Sequence, residues 1–302
     1  MALKDVKAKI QATLRTHKVT RAMEAVSAVK MRKTQVSALG GRAYARAALS
    51  ILARLSGTAD FKSHSLASIR PVKNIAVVLI TSDKGLAGSL NSSVIKAAVE
   101  IIADRPKDSV RIYAYGRKGE EYFARRGYTI EKSFENKLDD IPTAAVEALS
   151  AELSAGFSEG LFDEAVAVYS NFKSTFEQLP TARTFLPVSV SSIEQLVADI
   201  VPIRGKWSDE ISTKAPTSYT IEPSPEVVLD TLVPRLVSVS LYHMLLESKA
   251  SEHSARMVAM KNASDKSKEL AQDLTRTFNK IRQAAITREV SEIVSGREAL
   301  SA

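Results

Sequence analysis

The first part of the chain carries apolar residues at alternating steps of three and four, which is the spacing of one face of an α-helix. They are Leu3, Val6, Ile10 and Leu14, followed one position out of phase by Val19, Met23 and Val26. Residues 2–57 contain no proline and are rich in residues that favour helix. The pattern predicts one long N-terminal helix whose apolar stripe contains a stutter.

A second long helix is predicted near the other end of the chain. Ser224 is a candidate N-cap, with Pro225 at the first helical position and Glu226 beside the positive end of the helix dipole. Its apolar positions are Leu229, Leu232, Leu236, Val239, Met257, Met260, Leu270, Leu274, Ile281 and Ala285. Because neither helix can bury its own stripe, we expect the two to pack together as an antiparallel coiled coil.

The middle of the chain has a different pattern, since residues 74–81 form an apolar, β-branched run typical of a strand buried on both faces. Further strands are predicted at 110–115, 128–130, 164–170 and 183–190, the last being an edge strand with Pro187, and helices at 91–104, 117–126 and 142–157. This alternation indicates a mostly parallel sheet. The predicted fold class is α+α/β, a long antiparallel coiled coil with an inserted Rossmann-like α/β domain. We predict domains at residues 1–60, 61–223 and 224–302.

The loop after the first strand is where an α/β domain of this kind would bind a nucleotide. Its Gly85 and Gly88 have Gly-x-x-Gly spacing, which matches neither the dinucleotide fingerprint nor the phosphate loop. The spacing favours a tight turn in which glycine adopts a positive φ. Cysteine is absent, the four histidines lack metal-ligand spacing, and no catalytic triad or carboxylate pair is recognisable. We therefore expect no catalytic site, no cofactor and no metal in this chain.

Positive charge is concentrated at the N-terminus, where residues 1–57 hold 12 Lys and Arg against Asp5 and Glu24. Such a field favours an acidic partner, whether nucleic acid, anionic lipid or protein. A nucleic-acid-binding coiled coil is therefore an open alternative, and a small nucleotide-dependent enzyme that uses the α/β domain is another. With no run of 18 apolar residues and no signal peptide, we expect membrane association only through partners.

Four motifs, in order along the chain, resemble those of the gamma chain family of F-type ATP synthases. The chain opens with LKDVKAKI and continues with THKVTRAMEAVSAVKMRKTQ, the loop after the first strand reads TSDKGLAGSLN, and the second helix opens with SPEVVLDTLVPRL. The segment from Leu245 to Leu300 is similar to the family pattern almost residue for residue. The rest of the α/β domain is similar to the family only in its general pattern of predicted strands and helices.

The resemblance implies a central rotor shaft that transmits torque between a proton-driven c ring and a hexamer of three alpha and three beta chains. It implies that the epsilon chain and the c-subunit ring are further partners, that nucleotides bind to other chains, and that nucleic acid is not a ligand. The implied location is peripheral, on the cytoplasmic face of a bacterial plasma membrane, or alternatively on the matrix face of the mitochondrial inner membrane.

The resemblance also implies roles for individual residues. Arg282, Gln283 and Arg256 match positions that bind a beta chain as a catch, and an arginine fork can hold a carboxylate with two bonds. Met23 and Lys84 match positions facing an acidic beta-chain loop, although Lys84 replaces the family's usual arginine. Arg42, Tyr44, Tyr219 and Glu222 match a foot that touches the c ring and epsilon. Ile286, Val290, Ile293 and Val294 match an apolar tip that turns in a sleeve.

Overall fold

The computed structural model describes residues 3–40, 51, 61, 63–137, 140–189, 191–192, 222 and 224–301 of the 302-residue chain. It forms two compact units, one of Met1–Ser27 with Met257–Ala302 and the other of Ala28–Arg256. The helices are α1 (Leu3–Gly40), α2 (Leu90–Ile102), α3 (Arg117–Ala124), α4 (Thr143–Ser158) and α5 (Pro225–Ser301). The strands are β1 (Ile75–Ile80), β2 (Val110–Tyr115), β3 (Thr129–Phe134), β4 (Glu164–Ser174) and β5 (Glu177–Leu186).

The sheet of the larger unit has the strand order β3-β2-β1-β4-β5. Strand β1 pairs in parallel with β2 and β4, β3 pairs in parallel with β2, and only β5 is antiparallel to its neighbour. All six residues of β1 are buried, as expected for a central strand covered on both faces. The predicted strands, intervening helices and mostly parallel sheet are confirmed.

Strand β5 begins and ends earlier than predicted. The expected strand at 183–190 ends at Leu186, and Pro187 follows it across a cis peptide bond. The reason is that β4 continues to Ser174, so that the hairpin pairs Ser174 with Glu177 and draws the polar residues after Glu177 into the sheet. Pro180 lies inside β5 instead, which an edge strand tolerates because one side of it needs no N–H donors.

Alternate residues of β1 point into two cores, as the two-residue period of a strand requires. Ala76, Val78 and Ile80 face a core that α4 and the first part of α5 complete. Ile75, Val77 and Leu79 face the core covered by α2 and by Phe123 of α3. The larger unit is thus a three-layer α/β arrangement in which α5 forms part of one outer layer.

Helix α5 begins at the predicted cap. The Val227 N–H donates to Ser224 Oγ at 3.4 Å, and the Val228 N–H donates to Ser224 O at 3.2 Å. Of the described helices, only Pro225–Arg297 has the length and composition that could cross a bilayer, and 44% of its apolar window is buried in the protein. Its Leu229, Val233 and Leu236 pack into the core of the sheet, which accounts for much of that composition.

The smaller unit pairs α1 with α5 through a seam that repeats at strict steps of three and four. The seam contacts are fixed by His17, whose Nδ1 lies 2.9 Å from Ser264 Oγ and 3.0 Å from Ser264 O. The covered positions of α1 are Leu3, Val6, Ile10, Thr13, His17, Thr20, Met23, Glu24 and Ser27, and those of α5 include Met257, Met260, Ser264, Ser267, Ala271, Leu274, Phe278 and Ile281. The predicted coiled coil is confirmed, but its stripe has no stutter.

Several apolar residues predicted to lie in the seam are exposed instead. They are Leu14, Val19, Val26, Leu270 and Ala285. Hydroxyl side chains take the covered positions because each can satisfy its hydrogen bond within its own helix: Thr13 Oγ1 donates to Lys9 O and Thr20 Oγ1 donates to Thr16 O, both at 2.9 Å. A covered threonine in this setting needs neither water nor a partner across the seam.

Candidate functional site

The β1–α2 loop, residues 81–89, lies at the carboxyl end of the central strand. Gly88 has φ +58° as predicted, but Leu86, a non-glycine residue, also has a positive φ of 64°. The loop is closed by Asn91, whose Oδ1 accepts from the Ser82 N–H at 2.9 Å. The loop is therefore a turn closed by its own hydrogen bonds and does not have the geometry of a phosphate-binding loop.

Asp83 anchors the middle of the β1–α2 loop. Its Oδ1 accepts from the Arg117 N–H and its Oδ2 from the Asn136 N–H, both at 2.8 Å. Burial, with a smaller contribution from the Asp83 charge, raises the pKa of Tyr115 above its ordinary value. A buried carboxylate at this edge of the sheet disfavours an anionic ligand there.

Two cationic side chains of α5 are linked to this loop, Arg256 directly and Lys249 through Asn136. Lys249 Nζ donates to Asn136 O at 2.6 Å and to Asn136 Oδ1 at 2.9 Å. Arg256 Nη2 donates to Gly85 O at 3.4 Å. Glu252 lies between them, with its Oε1 2.7 Å from Arg256 Nη2 and its Oε2 3.4 Å from Lys249 Nζ. We call Asp83, Lys249, Glu252 and Arg256 the buried charge cluster.

The residues of the proposed beta-chain contacts differ in their exposure. Lys84 is exposed on the β1–α2 loop, and Met23 is half-buried on α1. Arg256 is mostly covered and already bonded through Nη2, which leaves the donors of its Nη1 and Nε edges for another acceptor. Arg282 and Gln283 are exposed on α5.

The helix tip, which we define as residues 282–297, follows the last covered seam residue, Ile281. Because the helices are antiparallel and His17 lies beside Ser264, Leu3 lies opposite Phe278. The first described residue of α1 therefore lies close to the start of the helix tip. Ile286, Val290, Ile293 and Val294 expose between 44% and 66% of their surface there. Aliphatic side chains this exposed in succession along one helix indicate a surface that another molecule covers.

Part of the predicted foot lies outside the described residues, namely Arg42, Tyr44 and Tyr219. Glu222 is described and is exposed. Within the ranges that the structure describes, no three His, Cys, Asp or Glu side chains are placed to hold a metal ion.

Comparison with known proteins decides between the alternatives left open by the sequence. A family model described as ATP synthase matches residues 2–300. The ATP synthase gamma chain of Roseiflexus castenholzii (strain DSM 13941 / HLO8) is 39% identical over 305 residues, which cover 99% of this chain and 98% of that protein. That of Chlorobium phaeobacteroides (strain BS1) is 36% identical over 304 residues, with 99% and 98% coverage. The chain belongs to the ATP synthase gamma chain family.

Solved structures share this fold over most of the chain. A chain of the Euglena gracilis mitochondrial ATP synthase matches with a TM-score of 0.66 and 17% identity, covering 99% of this chain and 94% of that one. A chain of the Tetrahymena thermophila central stalk and c ring matches with a TM-score of 0.60 and 24% identity, covering 82% and 99%. Gamma chains are the rotor shaft of F-type ATP synthase and are non-catalytic subunits of it.

Most of the buried charge cluster escaped sequence reasoning, which singled out only Arg256 among its members. Lys249, Glu252 and Arg256 are spaced three and four residues apart, so they share one face of a helix. The same spacing usually marks a solvated ion-pair face, and sequence alone cannot show that a sheet edge covers it. Arg256 was expected to face a beta chain, and the structure shows in addition that it contacts the gamma chain's own loop.

Proposed function

We propose that this gamma chain transmits torque between a membrane-embedded c ring and an alpha/beta hexamer, with three alpha and three beta chains around the coiled coil. In this proposal the epsilon chain and the c ring bind the foot, and the chain is peripheral to the membrane through these partners. The cytoplasmic face of a bacterial plasma membrane is the proposed location, in keeping with the bacterial gamma chains that it matches. In this proposal, residues 1–60 and 224–302 form the coiled-coil shaft, and residues 61–223 form the α/β domain inserted between its two helices.

The exposed helix tip is the observation that carries this proposal. Leaving Ile286, Val290, Ile293 and Val294 in water is unfavourable by roughly 25 cal/mol per Å² of apolar surface, so a partner that covers them gains free energy. Apolar contact has no preferred direction, whereas hydrogen bonds hold one orientation. A sleeve around these side chains therefore retains the shaft while allowing it to turn.

The catch contacts are proposed to supply the directional part of the interaction. Arg282 and Gln283 are exposed where the helix tip begins, and a guanidinium beside an amide can bind a beta-chain carboxylate and backbone together. The remaining donors of Arg256 are proposed to add to the catch, and Met23 and Lys84 are proposed to face an acidic beta-chain loop. Such contacts stabilise one conformation of a beta chain at one rotational position of the shaft. The rotational position thereby determines which beta-chain conformation is favoured.

The foot is proposed to contain Arg42, Tyr44, Tyr219 and Glu222. Their role is to bind epsilon and the c ring, so that ring rotation turns the coiled coil with it. Glu222 is exposed two residues before the Ser224 cap of α5, which leaves its carboxylate accessible to a basic partner surface.

The test is reconstitution of the gamma chain with its alpha, beta and epsilon chains, followed by ATPase and ATP-driven proton transport. We expect Arg282→Ala and Gln283→Ala each to lower coupled transport at least several-fold while the complex still assembles. Arg276→Ala is the matched control, because Arg276 is another exposed arginine of α5, and its charge already pairs with Asp273. Transport that is unchanged in both catch variants would remove these residues from the mechanism, and failure of the unsubstituted chain to assemble would refute the function itself.

A further inference from the structure

The buried charge cluster brings four ionised side chains out of water between α5 and the β1–α2 loop. The side chains of Lys249, Glu252 and Arg256 are only 2%, 8% and 12% exposed. Asp83 is buried as well. Two positive and two negative charges balance, which makes such burial tolerable, but apolar residues of the same volume often stabilise a protein at least as well. Stability alone is therefore a weak explanation for the cluster.

The cluster connects α5 to the β1–α2 loop at two points. One connection runs from Lys249 to Asn136, whose N–H donates to Asp83 and whose Nδ2 donates to Thr81 O at 2.8 Å. The other runs from Arg256 to Gly85 O. The two connections reach the residues on either side of Lys84, at positions 83 and 85. The backbone that carries the exposed Lys84 is thus held from both sides by one helix.

Glu252 is the anion that joins the two connections. Its two carboxylate oxygens lie against Arg256 on one side and Lys249 on the other. Without its charge, two cations seven residues apart on the same helix would repel each other inside the protein, where screening by water is weak. Each would then reorient toward solvent and release its loop contact.

We propose that Glu252 is a positioning residue for the beta-chain contact. It fixes Lys249 and Arg256, and these hold the β1–α2 loop so that a force on Lys84 is passed into α5 instead of bending the loop. The idea that a beta chain exerts this force on Lys84 rests on the proposed function, whereas the rigidity of the loop does not depend on it. It also gives Arg256 a second role, because the same pairing orients the guanidinium edge that is left for a partner.

Hydrogen exchange on the isolated full-length chain tests the rigidity. In Glu252→Gln, which keeps the shape and removes the charge, we expect the N–H groups of Arg117 and Asn136, both bonded to Asp83, to exchange at least about tenfold faster. Amides of α2 are the internal reference. Glu269→Gln is the matched control, since Glu269 pairs with Lys266 on the same helix but in solvent, and it should change nothing. Unchanged exchange in Glu252→Gln would overturn the inference while leaving the proposed function standing.

Proton transport per ATP hydrolysed in the reconstituted complex tests the positioning role. We expect Glu252→Gln to lower this ratio at least about threefold at a temperature where the chain is fully folded, and Glu252→Asp, which keeps the charge, to recover part of it. If Glu252 has a purely structural role, the ratio should instead fall in each variant in proportion to the fall in its melting temperature. That result would refute the proposal. If Glu252→Gln does not fold, Arg256→Lys is tested instead, because it keeps the positive charge but removes the planar guanidinium. A ratio of proton transport to ATP hydrolysis equal to that of the unsubstituted complex would then refute the proposal.

Discussion

Gly116 lies at the end of β2, where the chain turns into α3 beside the β1–α2 loop. Its φ of +104° is outside the range that residues with a side chain adopt readily. A Cβ added there would be 2.6 Å from the carbonyl carbon of Thr81 and closer still to the carbonyl oxygen. Because both obstacles are backbone atoms, Gly116→Ala can be accommodated only if one of the two segments moves.

The size of the effect follows from what such a movement breaks. A positive φ costs an L-residue roughly 1–2 kcal/mol. Separation of the two segments removes the bond from the Thr81 N–H to Tyr115 O, 2.8 Å long, and the bond from Thr81 Oγ1 to Gly116 O, 3.1 Å long. At about 1 kcal/mol net for each bond, the total is roughly 3–4 kcal/mol. Gly127→Ala is the matched control, because Gly127 has φ +75° and nothing within 4 Å of an added Cβ, so it should cost only the strain.

Local hydrogen exchange of the β1 and β2 amides is the appropriate assay, because circular dichroism of this protein is dominated by α1 and α5. The difference of about 2 kcal/mol between the two variants corresponds to roughly thirtyfold faster exchange in Gly116→Ala than in Gly127→Ala. Equal exchange in the two variants would mean that the turn after β2 does not approach Thr81 as closely as described, and the reasoning would be wrong.

Three further outcomes are expected for the isolated chain. Val19→Gln should change the unfolding free energy by less than about 0.5 kcal/mol because Val19 is 58% exposed, whereas Thr20→Gln, at a seam position 8% exposed, should cost about 1–3 kcal/mol in thermal denaturation. Ser224→Ala should cost about 1 kcal/mol and speed exchange in the first turn of α5. Hydrogen bonds from the N–H groups of Asn74 and Lys73, with Arg70 nearby, lower the pKa of Asp163 below its ordinary 3.8. The stability advantage over Asp163→Asn should therefore be complete above that value and shrink as pH falls through the lowered pKa in acid titrations.

The α/β domain could be predicted closely because each of its signals is local. The run Ile75–Ile80 is apolar at every position, and a strand of that kind is stable only at the centre of a sheet with helices on both faces. The misplaced edge strand shows the limit of this reasoning. Pro187 was predicted to lie inside this strand but follows its last residue, and the start of β5 depends on how far β4 extends, which is a property of the pairing between strands.

The seam of the coiled coil could be predicted only in part from hydrophobicity, because hydroxyl residues occupy several of its covered positions. A search for apolar residues passes over Thr13, Thr20 and Ser264 and selects Leu14, Val19 and Val26, each of which lies one position from a covered residue. The apparent stutter resulted from this selection. The candidate contacts depended on resemblance instead, since neither exposure nor spacing distinguishes Arg282 from other arginines of α5.

A seam in which hydroxyl residues hold some covered positions, together with an apolar tip, fits a shaft better than the predicted arrangement would. A seam lined by Leu14, Val19 and Val26 would hide the apolar surface of α1 from any surrounding chain, whereas the observed seam leaves these side chains outward. Nondirectional apolar contact with a surrounding chain is therefore available along α1 as well as at the helix tip. The contact of His17 with Ser264 helps the seam to keep its register, whereas threonines bonded to their own helix do not select a partner across the seam. Loss of that contact in His17→Leu should therefore loosen the register of the two helices more than it lowers their helix content.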